Sequence, residues 1–203
     1  PAAPVCNGGP ITVSRVYRIT DCSGNSTTVT QTINVADITA PTASNPATIN
    51  VACYGSIPVA NISVVTDEAD NCDASPVVTL LTDIPASPVC NGGPITVSRV
   101  YRITDCSGNS TTVTQTINVS DITAPTASNP ATINVACYGS IPAANISVVT
   151  DEADNCDAAP VVTLLTDIPA APVCNGGPIT VSRVYRITDC SGNSTTVTQT
   201  INV

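Results

Sequence analysis

Apolar and polar residues alternate along most of the chain, which is the pattern of β-strands that bury one face. In one 84-residue stretch the alternation predicts five strands, separated by turns that contain proline and glycine. The predicted strands are residues 48–53, 60–67, 76–84, 95–105 and 110–119. No segment shows the period of an amphipathic helix. The pattern therefore predicts an all-β fold of antiparallel β-sandwiches.

The last two predicted strands show which face is buried. In "STTVTQTINV", Val113, Ile117 and Val119 share one face, and threonines share the other. In the preceding strand, Arg99 is in phase with the apolar positions, and a guanidinium on the inner face needs an acidic partner or must extend to the edge of the sheet. Asp83 is the candidate partner.

The chain repeats itself. Residues 36–119 and 120–203 align without a gap and differ at four positions, and residues 1–35 repeat the C-terminal part of the same unit. We therefore expect two complete domains preceded by the end of a third, in a segment of a longer array. The proline-containing linkers at 36–46 and 120–130 should stiffen the joints, so that sandwiches stack end to end as a rod. A flexible string of domains is the alternative.

Composition excludes several classes of function. The net charge of −9 makes nucleic acid and anionic membranes poor partners. No window is apolar enough for membrane insertion as a helix. Histidine and lysine are absent, so the usual general base and Schiff-base nucleophile are missing, and we do not expect an enzyme.

The cysteines predict disulfides rather than zinc ligation. The chain has 10 cysteines, but it has no C-x-x-C pair and no histidine, which zinc sites usually require. Phenylalanine, tryptophan and methionine are absent, so crosslinks would supplement a core of modest side chains. Disulfides also imply an oxidising compartment.

Several motifs together resemble one known family. The turn "TDCSGN", the strand ending "QTINV" and the following "DITAPT" resemble the end of an HYR-like, immunoglobulin-type repeat, and "DNCD" before "PVVT" resembles its D-N-C segment. Such repeats occur in giant surface adhesins of Bacteroidota, including gliding adhesins of the SprB type. The resemblance implies tandem immunoglobulin-like antiparallel β-sandwiches, export to the bacterial outer surface, and a part in adhesion or gliding motility.

The segment "TDEADNCD", which occurs twice, is the candidate metal site. Calcium takes six to eight oxygen ligands. In an immunoglobulin topology the turn before the last strand lies at the same end of the sandwich as this segment, and so does the linker aspartate, Asp37 or Asp121. The expected calcium ligands are Asp67, Asp70, Asp73 and Asp105, with Asp151, Asp154, Asp157 and Asp189 in the second repeat. A solvated acidic loop is the other interpretation, and the sequence leaves the choice between the two open.

The same topology suggests a disulfide pairing. Cys72 and Cys106 lie in loops at the linker end, whereas Cys53 and Cys90 lie at the opposite end, and bridged Cα atoms must be within about 7 Å. We therefore expect one bridge at each end of a sandwich. The expected pairs are Cys53 with Cys90, Cys72 with Cys106, Cys137 with Cys174, and Cys156 with Cys190, leaving Cys6 and Cys22 unpaired.

These features favour a structural function. Near-identical, disulfide-closed repeats are suited to a stalk that projects a binding region from the cell, with neighbouring repeats of the same chain as the partners. The alternative is an adhesive module that binds surface glycans directly.

Overall fold

The computed structural model describes residues 11–84, 90–168 and 178–203, which consist of β-strands, short 3-10 turns and loops. The strands of these residues are β1 (Ile11–Thr20), β2 (Ser26–Val35), β3 (Ile49–Val51), β4 (Val77–Ile84), β5 (Ile95–Thr104), β6 (Ser110–Val119), β7 (Ile133–Asn134), β8 (Val161–Ile168), β9 (Thr180–Thr188) and β10 (Ser194–Asn202). Within this part of the chain, no helix has the length and hydrophobicity needed to cross a bilayer.

The strands form three sheets. β1 and β2 make a two-stranded hairpin, and two four-stranded sheets have the orders β3-β6-β5-β4 and β7-β10-β9-β8. The predicted all-β, sandwich-like fold with two tandem repeats is confirmed. One pairing differs from the antiparallel prediction, because the short strand β7 runs parallel to β10.

Spatial contacts divide the described residues into two compact units. Unit 1 contains residues 11–49, 59–84 and 97–116, and unit 2 contains residues 50–58, 90–96, 117–168 and 178–203. Unit 2 therefore includes three described segments from the first sequence repeat, residues 50–58, 90–96 and 117–119, as well as the described residues of the second.

Each unit has a small aliphatic core built around one tyrosine. In unit 1, Tyr101 and Ile103 are fully buried and pack with Val65 and Val113. The corresponding core of unit 2 consists of Val149, Tyr185, Ile187 and Val197. The inward residues of the long strands therefore meet valines from segments outside the sheet, as a two-layer fold requires.

The second predicted strand, residues 60–67, is not a strand. Residues Ile62–Val64 form a 3-10 turn, and the side-chain oxygen of Asn61 accepts a hydrogen bond of 3.0 Å from the backbone N–H of Ser63. Asparagine favours such local side-chain hydrogen bonds, which compete with strand pairing. The prediction was wrong because the apolar alternation of this segment is also satisfied by a turn that buries Val65.

The predicted partner of Arg99 is confirmed. The Nε and Nη2 atoms of Arg99 each donate a 2.8 Å hydrogen bond to the carboxylate of Asp83, on the neighbouring strand β4. The Arg99 side chain is 5% exposed and that of Asp83 is 30% exposed. The hydrogen bonds that Arg99 donates to the Asp83 carboxylate are the main cause that raises the pKa of Arg99. This bidentate pair places a charge inside the core while keeping it neutralised.

Removing the carboxylate should therefore destabilise unit 1. We expect Asp83→Ala to lower the free energy of unfolding by about 2–3 kcal/mol, because a buried guanidinium loses its neutralising charge. Urea unfolding followed by circular dichroism measures the effect. The control is Arg102→Ala, at an exposed position of β5, the strand that carries Arg99. It should change the free energy of unfolding by less than about 0.5 kcal/mol. Equal effects of the two substitutions would contradict the role assigned to the pair.

Candidate metal centre and disulfide junction

Three aspartates from different segments converge in each unit. In unit 1 they are Asp37, Asp70 and Asp105, each offering one carboxylate oxygen, and these oxygens lie within 4.8 Å of one another. In unit 2 the equivalent aspartate triad is Asp121, Asp154 and Asp189. The linker, the "DNCD" loop and the turn before the last strand supply one aspartate each.

The triads contain only part of the predicted ligand set. Asp70, Asp105, Asp154 and Asp189 belong to them, whereas Asp67, Asp73, Asp151 and Asp157 have other contacts. Both oxygens of Asp67 accept from the Ser44 N–H at 3.0 Å. The Asp73 carboxylate accepts from the N–H groups of Ser75 and Cys106. In the candidate ligand set, the linker residues Asp37 and Asp121 therefore take the place of these four.

The contacts that Asp67 and Asp73 make in unit 1 are repeated by their equivalents in unit 2. Asp151 accepts from the Ser128 N–H, and Asp157 accepts from the N–H groups of Ala159 and Cys190. These carboxylates join loops to one another, which is a structural role. Sequence reasoning placed the linker aspartates at the end of the sandwich where the triads lie but did not select them as candidate ligands, because a lone aspartate in a linker carries no spacing signal.

Local turns hold the triad carboxylates in place. Asp105 accepts hydrogen bonds from the N–H groups of Ser107 and Asn109 and from the side-chain amide of Asn109, at 2.8–2.9 Å. Burial acts to raise the pKa of Asp105, but these hydrogen bonds outweigh it and the pKa lies below its ordinary value. Asp105 is therefore ionised at neutral pH, as a metal ligand must be.

The other two carboxylates each keep one oxygen without a protein partner. Asp70 Oδ2 accepts from the Cys72 and Asp73 N–H groups, but its Oδ1 is buried and unpartnered. Asp37 Oδ1 accepts from Thr39, and its Oδ2 is buried and unpartnered. The same holds for Asp121 Oδ2 and Asp154 Oδ1 in unit 2.

Unpartnered carboxylate oxygens beside other carboxylates are costly. A buried acceptor without a hydrogen bond costs about 1–3 kcal/mol, and like charges at this spacing repel. A bound cation would remove both penalties. The donors are all oxygens, which hard cations such as calcium prefer. Glu68 Oε2 and Glu152 Oε2, which do not belong to the triads, are also buried and without a hydrogen-bond partner.

The disulfides differ from the predicted pairing. Cys53 is bonded to Cys156, and Cys90 to Cys190, with Cα–Cα distances of 5.2 and 5.7 Å. All four cysteines belong to unit 2, yet each bond joins the first sequence repeat to the second. The predicted pairs Cys53–Cys90 and Cys156–Cys190 are therefore wrong.

The remaining predicted pairs are also absent. Cys72 and Cys137 are free thiols, as is Cys22, and Cys106 is bonded elsewhere. This excludes Cys72–Cys106 and Cys137–Cys174, although Cys174, like Cys6, lies outside the described residues. Burial, followed by the charges of Asp37, Asp70 and Asp105, raises the pKa of the Cys72 thiol.

The physical reason for the error is the choice of neighbour. Cys53 and Cys90 do lie on adjacent loops, because the backbone of Tyr54 donates to the Asn91 carbonyl and Gly55 donates to the Asn91 side chain. Their sulfur atoms, however, are bonded to cysteines in loops of the next repeat. The prediction considered only cysteines within one repeat.

The junction contacts the aspartate triad of unit 2 directly. The Asp121 N–H donates to the Gly92 carbonyl at 2.7 Å. The side-chain amide of Asn155 donates to Asp121 Oδ1 at 3.1 Å and contacts the sulfur of Cys156 at 2.8 Å. Asp121 is 6% exposed. The disulfides and the aspartate triad thus share one set of loops.

Gly92 has no room for a side chain at this junction. A Cβ atom there would lie 2.2 Å from Ser191 Oγ and 2.8 Å from Asp121 Cβ. We expect Gly92→Ala to destabilise unit 2 by about 1–3 kcal/mol, as overpacking does. The control is Gly55→Ala, whose Cβ would meet only Asn91 side-chain atoms at 3.6 and 3.9 Å. Urea unfolding compares them, and equal stability of the two variants would show that the loops are not in close contact.

The chain is similar to one protein family and to solved structures. A family model described as "HYR-like domain with 4 cysteines" matches residues 41–119 and 125–203. The chain is also similar to the solved "Protocadherin gammaB7 EC3-6 cis-dimer structure", with 17% identity and a TM-score of 0.38, over 96% of this chain and 60% of that one. No curated protein matches. Since the two matched stretches together cover more than half of the chain, the chain belongs to the family of HYR-like domains with 4 cysteines.

Proposed function

We propose that this chain is a segment of the stalk of a repetitive adhesin on the outer surface of a bacterium. The observation that carries the proposal is the pair of disulfides joining successive sequence repeats, Cys53–Cys156 and Cys90–Cys190. A stalk must transmit force along its length without separating, and covalent bonds between repeats supply that property. Disulfides persist in oxidising, extracellular surroundings, which agrees with an exported protein.

The two bridges form alternative covalent routes along the chain. The Cys53–Cys156 bond removes 103 residues from the stretched path, and the Cys90–Cys190 bond removes 100. Because the two loops overlap, either bond alone keeps most of the path short. An unfolding event would therefore release little chain length even if one bridge were reduced.

A direct glycan-binding role has weaker support. Sugar-binding surfaces usually present aromatic rings, but Tyr101 and Tyr185 are fully buried in the cores. The projection role therefore places recognition in other parts of the adhesin. Binding of this chain alone to glycan arrays or to cells, saturable and blocked by free sugar, would favour the adhesive module instead.

We further propose that calcium binds both aspartate triads. Support comes from the converging carboxylates and from the unpartnered buried oxygens of Asp37, Asp70, Asp121 and Asp154. Calcium would neutralise carboxylates from three segments of each unit, and the remaining coordination positions would be filled by carbonyl groups or water. The cation would then fix the linker, the "DNCD" loop and the last turn together.

Force spectroscopy tests the stalk. Reduction should lengthen the fully unfolded chain by roughly 340 Å or more, since at least about 100 residues at 3.3–3.6 Å each are released. Cys53→Ser alone should change this length little, because Cys90–Cys190 remains. Cys53→Ser with Cys90→Ser should lengthen the oxidised chain by on the order of 200–350 Å. A full length gain from the single variant would contradict the proposal of alternative routes.

Isothermal titration with calcium tests the metal centres. Each triad should take one ion, and Asp121→Asn should remove the site in unit 2 while leaving the one in unit 1. Asp151→Asn is the matched control, because Asp151 accepts from Ser128 outside the triad. An unchanged stoichiometry in Asp121→Asn, or no binding by the unaltered chain, would overturn the assignment.

We expect the effect of Asp121→Asn on stability to change sign between chelator and calcium. In excess chelator, Asp121→Asn should be at least as stable as the unaltered chain, because one of three repelling charges is gone. In millimolar calcium it should be less stable, because ligand binding no longer stabilises the folded state of unit 2. Melting temperatures in the two buffers give the comparison. A variant that is destabilised equally in both would indicate a purely structural role for Asp121.

A further inference from the structure

Three described cysteines are free although the matching cysteines of another repeat are bonded. Cys137 occupies the repeat position of Cys53, and Cys72 occupies that of Cys156. Cys53 and Cys156 are bonded to each other, whereas Cys137 and Cys72 are free. Nearly identical sequences therefore give two outcomes, and the difference must lie in which partner is within reach.

The local structure around the free thiols is already that of the bonded ones. Cys53 and Cys137 both precede a 3-10 turn, Tyr54–Ser56 and Tyr138–Ser140, with extended backbone. The side-chain amide of Asn71 lies 2.9 Å from the sulfur of Cys72, matching the 2.8 Å contact of Asn155 with Cys156. The loops that carry the free thiols therefore resemble those that carry the bonded cysteines.

The free cysteines are more exposed than their bonded counterparts, as expected if a neighbouring repeat is missing from their surface. The bonded Cys53 and Cys156 are 7% and 6% exposed, whereas Cys137 and Cys72 are only half-buried. Asp121, beside the bonded Cys156, is buried, whereas its counterpart Asp37, beside the free Cys72, is half-buried. The free thiols thus lie on surfaces that are covered where a bridge exists.

We propose that Cys137 is the first half of a further disulfide, whose second half is the "DNCD" cysteine of another repeat of this sequence following in the same chain. Cys53–Cys156 gives the direction of the bond, from the first cysteine of one repeat to the second cysteine of the next. Cys72 has the opposite polarity and accepts a bond from the first cysteine of a preceding repeat. Successive repeats are then joined through the whole array.

The bond forms by thiol–disulfide exchange with a small disulfide oxidant such as oxidised glutathione. One protein thiolate attacks a glutathione sulfur, breaking the glutathione S–S bond and releasing one reduced glutathione. The second protein thiolate then attacks the mixed disulfide and releases another. Two protein thiols are oxidised to one disulfide, one oxidised glutathione is reduced to two thiols, and the two protons pass to the glutathione products.

The test lengthens the full chain by one more copy of residues 120–203 after Val203. Both proteins are equilibrated with oxidised and reduced glutathione, free thiols are alkylated, and peptides are mapped without reduction. In the 203-residue chain Cys137 should be alkylated. In the lengthened chain its alkylation should fall by about tenfold or more, and it should be found linked to the second cysteine of the added repeat, while Cys72 stays alkylated.

A matched variant controls for the added mass. Serine in place of that second cysteine of the added repeat should leave Cys137 alkylated. The proposal is overturned if Cys137 stays alkylated in the lengthened chain while Cys53–Cys156 is intact, if Cys137 links to Cys72, or if its bonds join separate chains on a non-reducing gel. Absence of Cys53–Cys156 from the 203-residue chain would overturn it too, since the pattern being extended would not exist.

Discussion

The Cys53–Cys156 and Cys90–Cys190 disulfides are the constraint on which the rest of unit 2 depends. The cores are small and contain no aromatic residue except tyrosine, so apolar burial alone leaves a modest margin of stability. On the chain-entropy account, a bond that closes a loop of about 100 residues lowers the entropy of the unfolded chain. This stabilises the folded state by about 4–5 kcal/mol. The overlapping loops make the two contributions partly redundant.

Those loops explain how a cluster of like charges is tolerated. Each triad aspartate uses hydrogen bonds from its own loop, and Asp121 receives further ones from the Asn155 side chain. Gly92 adds close backbone contact with Asp121. The repulsion among the three carboxylates acts to push the linker, the "DNCD" loop and the last turn apart, and these hydrogen bonds oppose it. In unit 2 the disulfides hold the same loops together, and a bound cation would oppose the same repulsion by different means.

Features that depend on local patterns can be predicted from the sequence, whereas features that depend on contacts between distant segments cannot. The long strands, Tyr101 in the core and the Arg99–Asp83 pair all follow from period-two alternation, which is a local signal with one dominant solution. The failed strand at residues 60–67 has the same alternation, but Asn61 offers a local hydrogen bond that the pattern does not contain. The parallel pairing of β7 with β10 is equally invisible, because it joins segments nearly 70 residues apart.

The candidate site was also predicted in part. Topology places the correct loops at one end of a sandwich, so Asp70 and Asp105 converge as predicted, but their remaining partner comes from the linker. The disulfides could not be predicted from one repeat, because the identity of a neighbour is not encoded within the repeat itself. Two nearly identical repeats supply identical cysteines at identical positions, so bonds within and between repeats have the same sequence signature.

The segment "TDEADNCD" is acidic because three separate functions meet in eight residues. In the second repeat, Asp154 belongs to the aspartate triad, Cys156 forms the bridge, and Asp157 holds the N–H of Cys190 in the adjoining turn. Asp151 fixes the preceding loop through Ser128. Spreading these functions over a longer loop would add conformational entropy to be lost on folding. Concentrating them brings the charges close together, and the segment is stable only where hydrogen bonds, a neighbouring repeat or a cation compensate that charge.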